Sequence, residues 1–291
     1  MAGLARGAGR TQLSLRGAEG NLLVAEITGQ GPPVVLLHGL TATRHYVVMG
    51  STSLQRAGYR VIAYDARGHG SSAPAASPAA YTYELLVADL AAVLEALGVE
   101  RAVMAGASMG AHTALAFALA HPDRVLGLGL ITPAFDPDAA NGAASLGRWD
   151  ALARGLRGGG VPGFISAYDL TALPVAWREN ARRVIEQRLA AHEHPMAVAD
   201  ALEALPRSRP FASFADLRRV AAPAVVVASR DEADPGHPLA LGERYAREIP
   251  GARLVVEDAP PPLRSPIAWQ GGRLSALLIE LARVAYAREA H

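Results

Sequence analysis

Gly106-Ala107-Ser108-Met109-Gly110 sets a serine between two glycines, flanked by an apolar β-rich run (101–107) and a segment of helical character (109–121). A serine on a sharp strand-to-helix turn is held out at the edge of a sheet, where its Oγ can attack an acyl carbon. Small residues on either side permit such a turn. The attack needs a base to take the hydroxyl proton, an acid to orient that base, and N–H donors where a carbonyl oxygen becomes an oxyanion. The chain of 291 residues contains neither cysteine nor lysine. That excludes a thiolate nucleophile, disulfides, thiolate metal sites and iron–sulfur ligation, a Schiff-base lysine and a P-loop lysine. Serine, threonine, aspartate and glutamate remain as nucleophiles.

The elements that must position Ser108 follow from the apolar pattern. Runs such as PVVLLHG (33–39) and PAVVVAS (223–229) are apolar without alternation, as strands buried on both faces are. With 13–17, 22–28, 60–66, 101–107, 125–131 and 252–257 they predict a mostly parallel sheet. Helices are expected over 81–98, ending at Gly98, and over 109–121, 239–249 and 268–287. From about Ala134 to Asp216 the alternation lapses into a helical pattern with a hinge-like loop at 155–163 and one long helix at 174–194. The expected division is a core of 1–133 and 217–291 with a helical cap of 134–216 over the C-terminal ends of the strands.

Hydrophobic residues make up 51% of the chain, ample for a buried core, and 28 basic against 27 acidic side chains leave a formal charge of +1. That balance gives no footprint for nucleic acid or an anionic membrane. The first 17 residues lack a signal-peptide core, and no run approaches the roughly 18 apolar residues of a membrane span. A cytoplasmic, soluble protein acting on a small molecule is the expectation.

The chain resembles the α/β-hydrolase superfamily from about residue 12 to its C-terminal helix. His38-Gly39-Leu40 matches the family's oxyanion loop, the stretch from Tyr64 to Ser72 matches the loop after the next strand, and 106–110 matches the nucleophile elbow. The resemblance implies that the backbone N–H groups of Leu40 and Met109 form an oxyanion hole. It also implies an acid after the next-to-last strand, where Ala228 to Pro235 fits the family pattern with alanine in place of glycine. Asp231 is the expected acid, with Asp234 and Asp136 as alternatives. The family's histidine should follow the last strand, near Pro262 to Ser265, but the stretch EDAPPPLRSP (257–266) contains none.

Nine histidines are candidates to replace it. His237, six residues after Asp231, lies on the same rim and is the expected base; His45 is the other candidate, and with Arg44 and Gly39 is expected to contact substrate. His38 and His69 belong to motifs that support loops. His112 should pack beneath the site, His192 and His194 should occupy a solvated helix end, and His121 and His291 should be at the surface or terminus. Trp269 either packs into the space left by the missing histidine or lines the pocket. The reading is a cofactor-independent, metal-free serine hydrolase of small esters or similar acyl substrates, using Ser108, His237 and Asp231. The alternative is a non-hydrolytic ligand-binding protein or a cofactor-free lyase or isomerase on the same fold. Neither the substrate nor the oligomeric state is legible.

Overall fold

A computed structural model describes residues 9–139, 142–232, 234–257 and 266–289. Most of EDAPPPLRSP, from 258 to 265, lies outside the described residues, as do His291 and Ala233.

In chain order the elements are β1 (Arg10–Arg16), β2 (Leu22–Thr28), β3 (Pro33–Leu37), α1 (Ser53–Arg56), β4 (Arg60–Tyr64), α2 (Tyr83–Ala96), β5 (Ala102–Ala107), α3 (Met109–Ala120) and β6 (Val125–Ile131). Three inserted helices follow, α4 (Ala143–Ala167), α5 (Val175–Ala190) and α6 (Pro195–Ala204). The chain then returns through β7 (Ala224–Ala228), α7 (Leu239–Glu248), β8 (Arg253–Val256) and α8 (Gly271–Glu289).

The strands form one sheet in the order β1-β2-β4-β3-β5-β6-β7-β8. The β1–β2 and β2–β4 pairs are antiparallel and the other pairs parallel. Strand order reverses between β3 and β5, so the loops leaving their C-terminal ends diverge and open a crevice there. Those two loops carry Gly39–Leu40 and Ser108.

Alternation along β3 sends Val35 and Leu37 to one face and Val34 and Leu36 to the other. The first face packs on α2, α3 and α7 through Leu90, Leu94, Leu115 and Tyr245. The second packs on α1 and α8 through Leu54, Leu274, Leu278 and Leu281. Burial on both faces is why these strands are continuously apolar.

The expected loop at 155–163 is instead helical on both sides of one break, at Gly160 with φ +59° and ψ −146°. The chain doubles back there so tightly that a Cβ on Gly155 would meet the Gly163 carbonyl at 2.5 Å. The expected single helix at 174–194 stops at Ala190, and α6 starts at Pro195, where a proline at the first helical position requires a fresh start. Leu152, Leu156, Phe164, Leu189, Val198 and Leu202 join the three inserted helices, and the side chain of Leu40 packs against them. No described helix is long and apolar enough to cross a membrane.

Candidate active site

Ser108 ends β5 and precedes the first residue of α3, with φ +50° and ψ −113°. A non-glycine residue in that region is strained. The surrounding contacts over-determine it: Ser108 N–H donates to the Ile131 carbonyl at 2.9 Å, and Ser108 C=O accepts from His112 N–H at 3.0 Å. Both glycines of the motif are needed for close backbone approach. A Cβ on Gly106 would collide with the backbone of Gly110, and one on Gly110 with the Leu37 carbonyl. The elbow is thereby locked against the oxyanion loop.

His237 Nε2 is 2.9 Å from Ser108 Oγ, and His237 Nδ1 is 2.9 Å from both oxygens of Asp234. With Nδ1–H donating to the carboxylate, Nε2 presents a lone pair to the serine hydroxyl, the tautomer a general base requires. Asp234, Pro235, Gly236 and His237 form one β-turn, closed by His237 N–H donating to the Asp234 carbonyl at 3.0 Å. Aspartate at the first position and proline at the second are favoured in such turns. The carboxylate and the imidazole therefore leave the two ends of a single turn. Burial works against a charged imidazole at His237, but the Asp234 charge and hydrogen bond outweigh it, and the pKa is raised above 6.5.

Asp231 does not reach His237. Its Oδ1 accepts from Leu239 N–H at 2.7 Å at the start of α7, where a carboxylate satisfies an orphan donor and faces the positive end of the helix. Asp136 accepts from Asp138 N–H at 2.9 Å within its own turn. Of the three weighed carboxylates, Asp234 is the one hydrogen-bonded to the imidazole.

The oxyanion loop lies against the elbow: a Cβ on Gly39 would stand 3.6 Å from that of Ser108. Met109 N–H belongs to the first turn of α3 and has no intrahelical acceptor. Leu40 is held by His69, whose Nε2 lies 2.7 Å from its carbonyl and whose Nδ1 lies 2.9 Å from the Arg67 carbonyl, the neutral ring donating to one of the two at a time. His38 Nε2 accepts from Ala66 N–H at 2.9 Å, and its Nδ1–H donates to the Gly39 carbonyl at 2.9 Å. Burial, with His69 nearby, depresses the His38 pKa to about 3. His112 lies beneath the elbow, bonded to Tyr83 Oη and to the N–H groups of Ala134 and Phe135.

Three expectations need correction, those for Arg44, His45 and His192. Arg44 pairs with Asp65 and also approaches Glu26, so its guanidinium is committed to the β1–β2 side of the sheet. His45 is exposed among the charges of Arg44, Glu26, Asp65 and Arg10, not at Ser108. Trp269, expected either to pack inward or to line the pocket, is partly buried against the core face shared with α8. His192 is not solvated: it is buried, its Nδ1 accepts from Gly70 N–H at 2.9 Å, and its Nε2 lies 3.2 Å from the Thr41 carbonyl. One imidazole thus ties the inserted helices to two core loops, and nothing in the local sequence around His192 signals this.

Residues 32–158 match the model of the alpha/beta hydrolase fold family. A protein of Variovorax paradoxus provisionally called carbamate hydrolase RutD is 31% identical over 204 residues, 70% of this chain and 75% of that protein. Epoxide hydrolase B of Mycobacterium tuberculosis is 43% identical over 103 residues, but the match spans 34% of this chain and 28% of that enzyme. Among solved structures, a thermophilic esterase from Thermogutta terrifontis superposes with a TM-score of 0.75 at 27% identity, covering 94% of this chain and 99% of the esterase. With the strand order, the elbow and the oxyanion loop, these likenesses establish that the chain belongs to the α/β-hydrolase superfamily.

Proposed function

We propose that the protein is a serine hydrolase of small ester or similar acyl substrates, with Ser108 as nucleophile, His237 as base and Asp234 as the acid orienting it. The observation that carries this reading is the continuous hydrogen-bonded line from Ser108 Oγ through His237 to Asp234. His237 Nε2 takes the hydroxyl proton as Oγ bonds to the acyl carbon, and the carbonyl electron pair moves to oxygen. The N–H groups of Leu40 and Met109 stabilise that charge, each donor contributing about 3 kcal/mol in a water-excluded site. Collapse expels the alkoxide, which takes the proton from His237. Water then enters by the same base and releases the acid and Ser108. The inserted helices cover this site as a cap.

The nucleophile's chemistry favours acyl transfer over epoxide opening. Serine attack on an epoxide carbon would leave an alkyl ether with no carbonyl for water to attack, and turnover would stop. Hydrolysis of 4-nitrophenyl acetate tests the roles. Ser108→Ala and His237→Ala should each lower kcat by about 10⁴-fold or more, and Asp234→Ala by somewhat less, as in units that act together. Full activity in His237→Ala would remove the base from this account.

A further inference from the structure

Arg188, on α5, reaches the same site, and among the described residues no carboxylate lies within ion-pair distance of it. Its Nη2 donates to Thr41 Oγ1 at 2.7 Å, one residue beyond Leu40. Its Nε is buried and has no hydrogen-bond partner among the described residues. The guanidinium acts electrostatically on both ends of the acid–base turn: it interacts with Asp234 and lowers the proton affinity of His237. The phenols of Tyr46 and Tyr168 also interact with it electrostatically. Asp234 acts on Arg188 through space, since the contacts of its carboxylate within hydrogen-bond distance are with His237 Nδ1.

Two other arginines with buried head groups are paired: Arg67 grips Asp89 with two 2.8 Å bonds, and Arg44 holds Asp65. Arg230 shares with Arg188 a buried Nε that has no partner among the described residues, but it is Arg188 that lies beside Leu40 and the acid–base turn. A desolvated guanidinium without an acid is costly unless a ligand supplies the anion. The planar fork of donors suits a carboxylate, which it can bind bidentately.

We infer that Arg188 anchors a carboxylate of the substrate, so that the preferred substrates are esters or lactones carrying an acid group within reach of the scissile carbonyl. This inference rests on the proposed hydrolase reading of the same site. It adds a coupling: a bound carboxylate neutralises the charge that holds down His237's proton affinity, making the base stronger when an acidic substrate is in place.

The test compares mono-4-nitrophenyl glutarate with 4-nitrophenyl acetate. In Arg188→Gln, the ratio of kcat/KM for the acidic over the neutral ester should fall by tenfold or more, and Arg188→Lys should recover part of it. The acidic limb of the kcat/KM profile for the neutral ester should move to higher pH in Arg188→Gln, because a charge that opposes His237 protonation has been removed. A ratio unchanged within twofold, whatever the loss of thermal stability, would assign Arg188 to anchoring α5 on Thr41 and overturn the proposal. Wild-type protein gives an independent reading, since glutarate should compete with substrate and neutral glutaramide should not; equal competition would also overturn it. Calorimetric binding of glutarate to Ser108→Ala, lost when Arg188→Gln is added, decides the matter even if no variant hydrolyses anything, so the two readings fail separately.

Discussion

Ser108 holds its strained backbone because its neighbours leave it no other path. Replacing it with glycine removes the steric penalty of positive φ, worth about 1–3 kcal/mol, against an entropic cost of about 0.5–1 kcal/mol. Ser108→Gly is therefore expected to unfold at higher urea than Ser108→Ala, by about 1 kcal/mol, although both lack the hydroxyl. A lower midpoint for the glycine variant would mean that the elbow stores no strain. At His237 the raised pKa predicts that kcat/KM climbs with pH through a value above 6.5, since only the neutral imidazole can take the serine proton. An acidic limb centred below 6.5 would contradict the Asp234 pairing.

At the scale of elements, the β7–α7 connection divides its two aspartates by task. Asp231 caps α7, so Asp231→Ala should cost about 1 kcal/mol of stability, read from urea unfolding, with a far smaller effect on kcat than Asp234→Ala. A collapse of kcat with unchanged stability would reverse the assignment. Both acids were visible in the sequence, and the family pattern pointed to Asp231. The turn chemistry of Asp234-Pro235-Gly236-His237 was the signal that favoured Asp234, because its two ends lie opposite each other. The elbow, the 38–40 loop and most strands were legible because each has a local signature: glycine spacing or an unbroken apolar run. The placements of Arg188 and His192 were not, since they depend on how helices separated by many residues dock onto the 39–44 and 66–72 loops. Likewise, Arg44 read as a pocket residue because nothing nearby announced its partner Asp65, 21 positions on.

At the scale of the whole molecule, buried neutral histidines make the fold acid-sensitive. His38, His112 and His192 are each depressed by burial from 6.5 to about 3, and His69 is lowered too. Well above pH 6.5 these imidazoles are neutral whether the chain is folded or not. Below it the unfolded chain binds protons that the folded chain refuses, so stability falls as pH drops from about 6.5 towards 3. Each such group contributes a slope of up to about 1.4 kcal/mol per pH unit. His237, raised, works in the opposite sense only around and above pH 6.5, where its stabilisation is lost as pH rises. Unfolding free energy should therefore decline by up to about 4 kcal/mol per pH unit between pH 6 and 5 from the three groups held near 3, before most carboxylates titrate. A flat profile between pH 6.5 and 5.5 would mean that the buried histidines accept protons in place.

The most direct measurement is intact-mass detection of a fluorophosphonate adduct on wild type, Ser108→Ala, His237→Ala and Asp234→Ala. The account predicts one adduct per chain on the wild type, none on Ser108→Ala, labelling slowed by orders of magnitude in His237→Ala, and an intermediate rate in Asp234→Ala. Undiminished labelling of His237→Ala, or no labelling of the folded wild type, would contradict an activated Ser108 whose base sits on the β7–α7 turn.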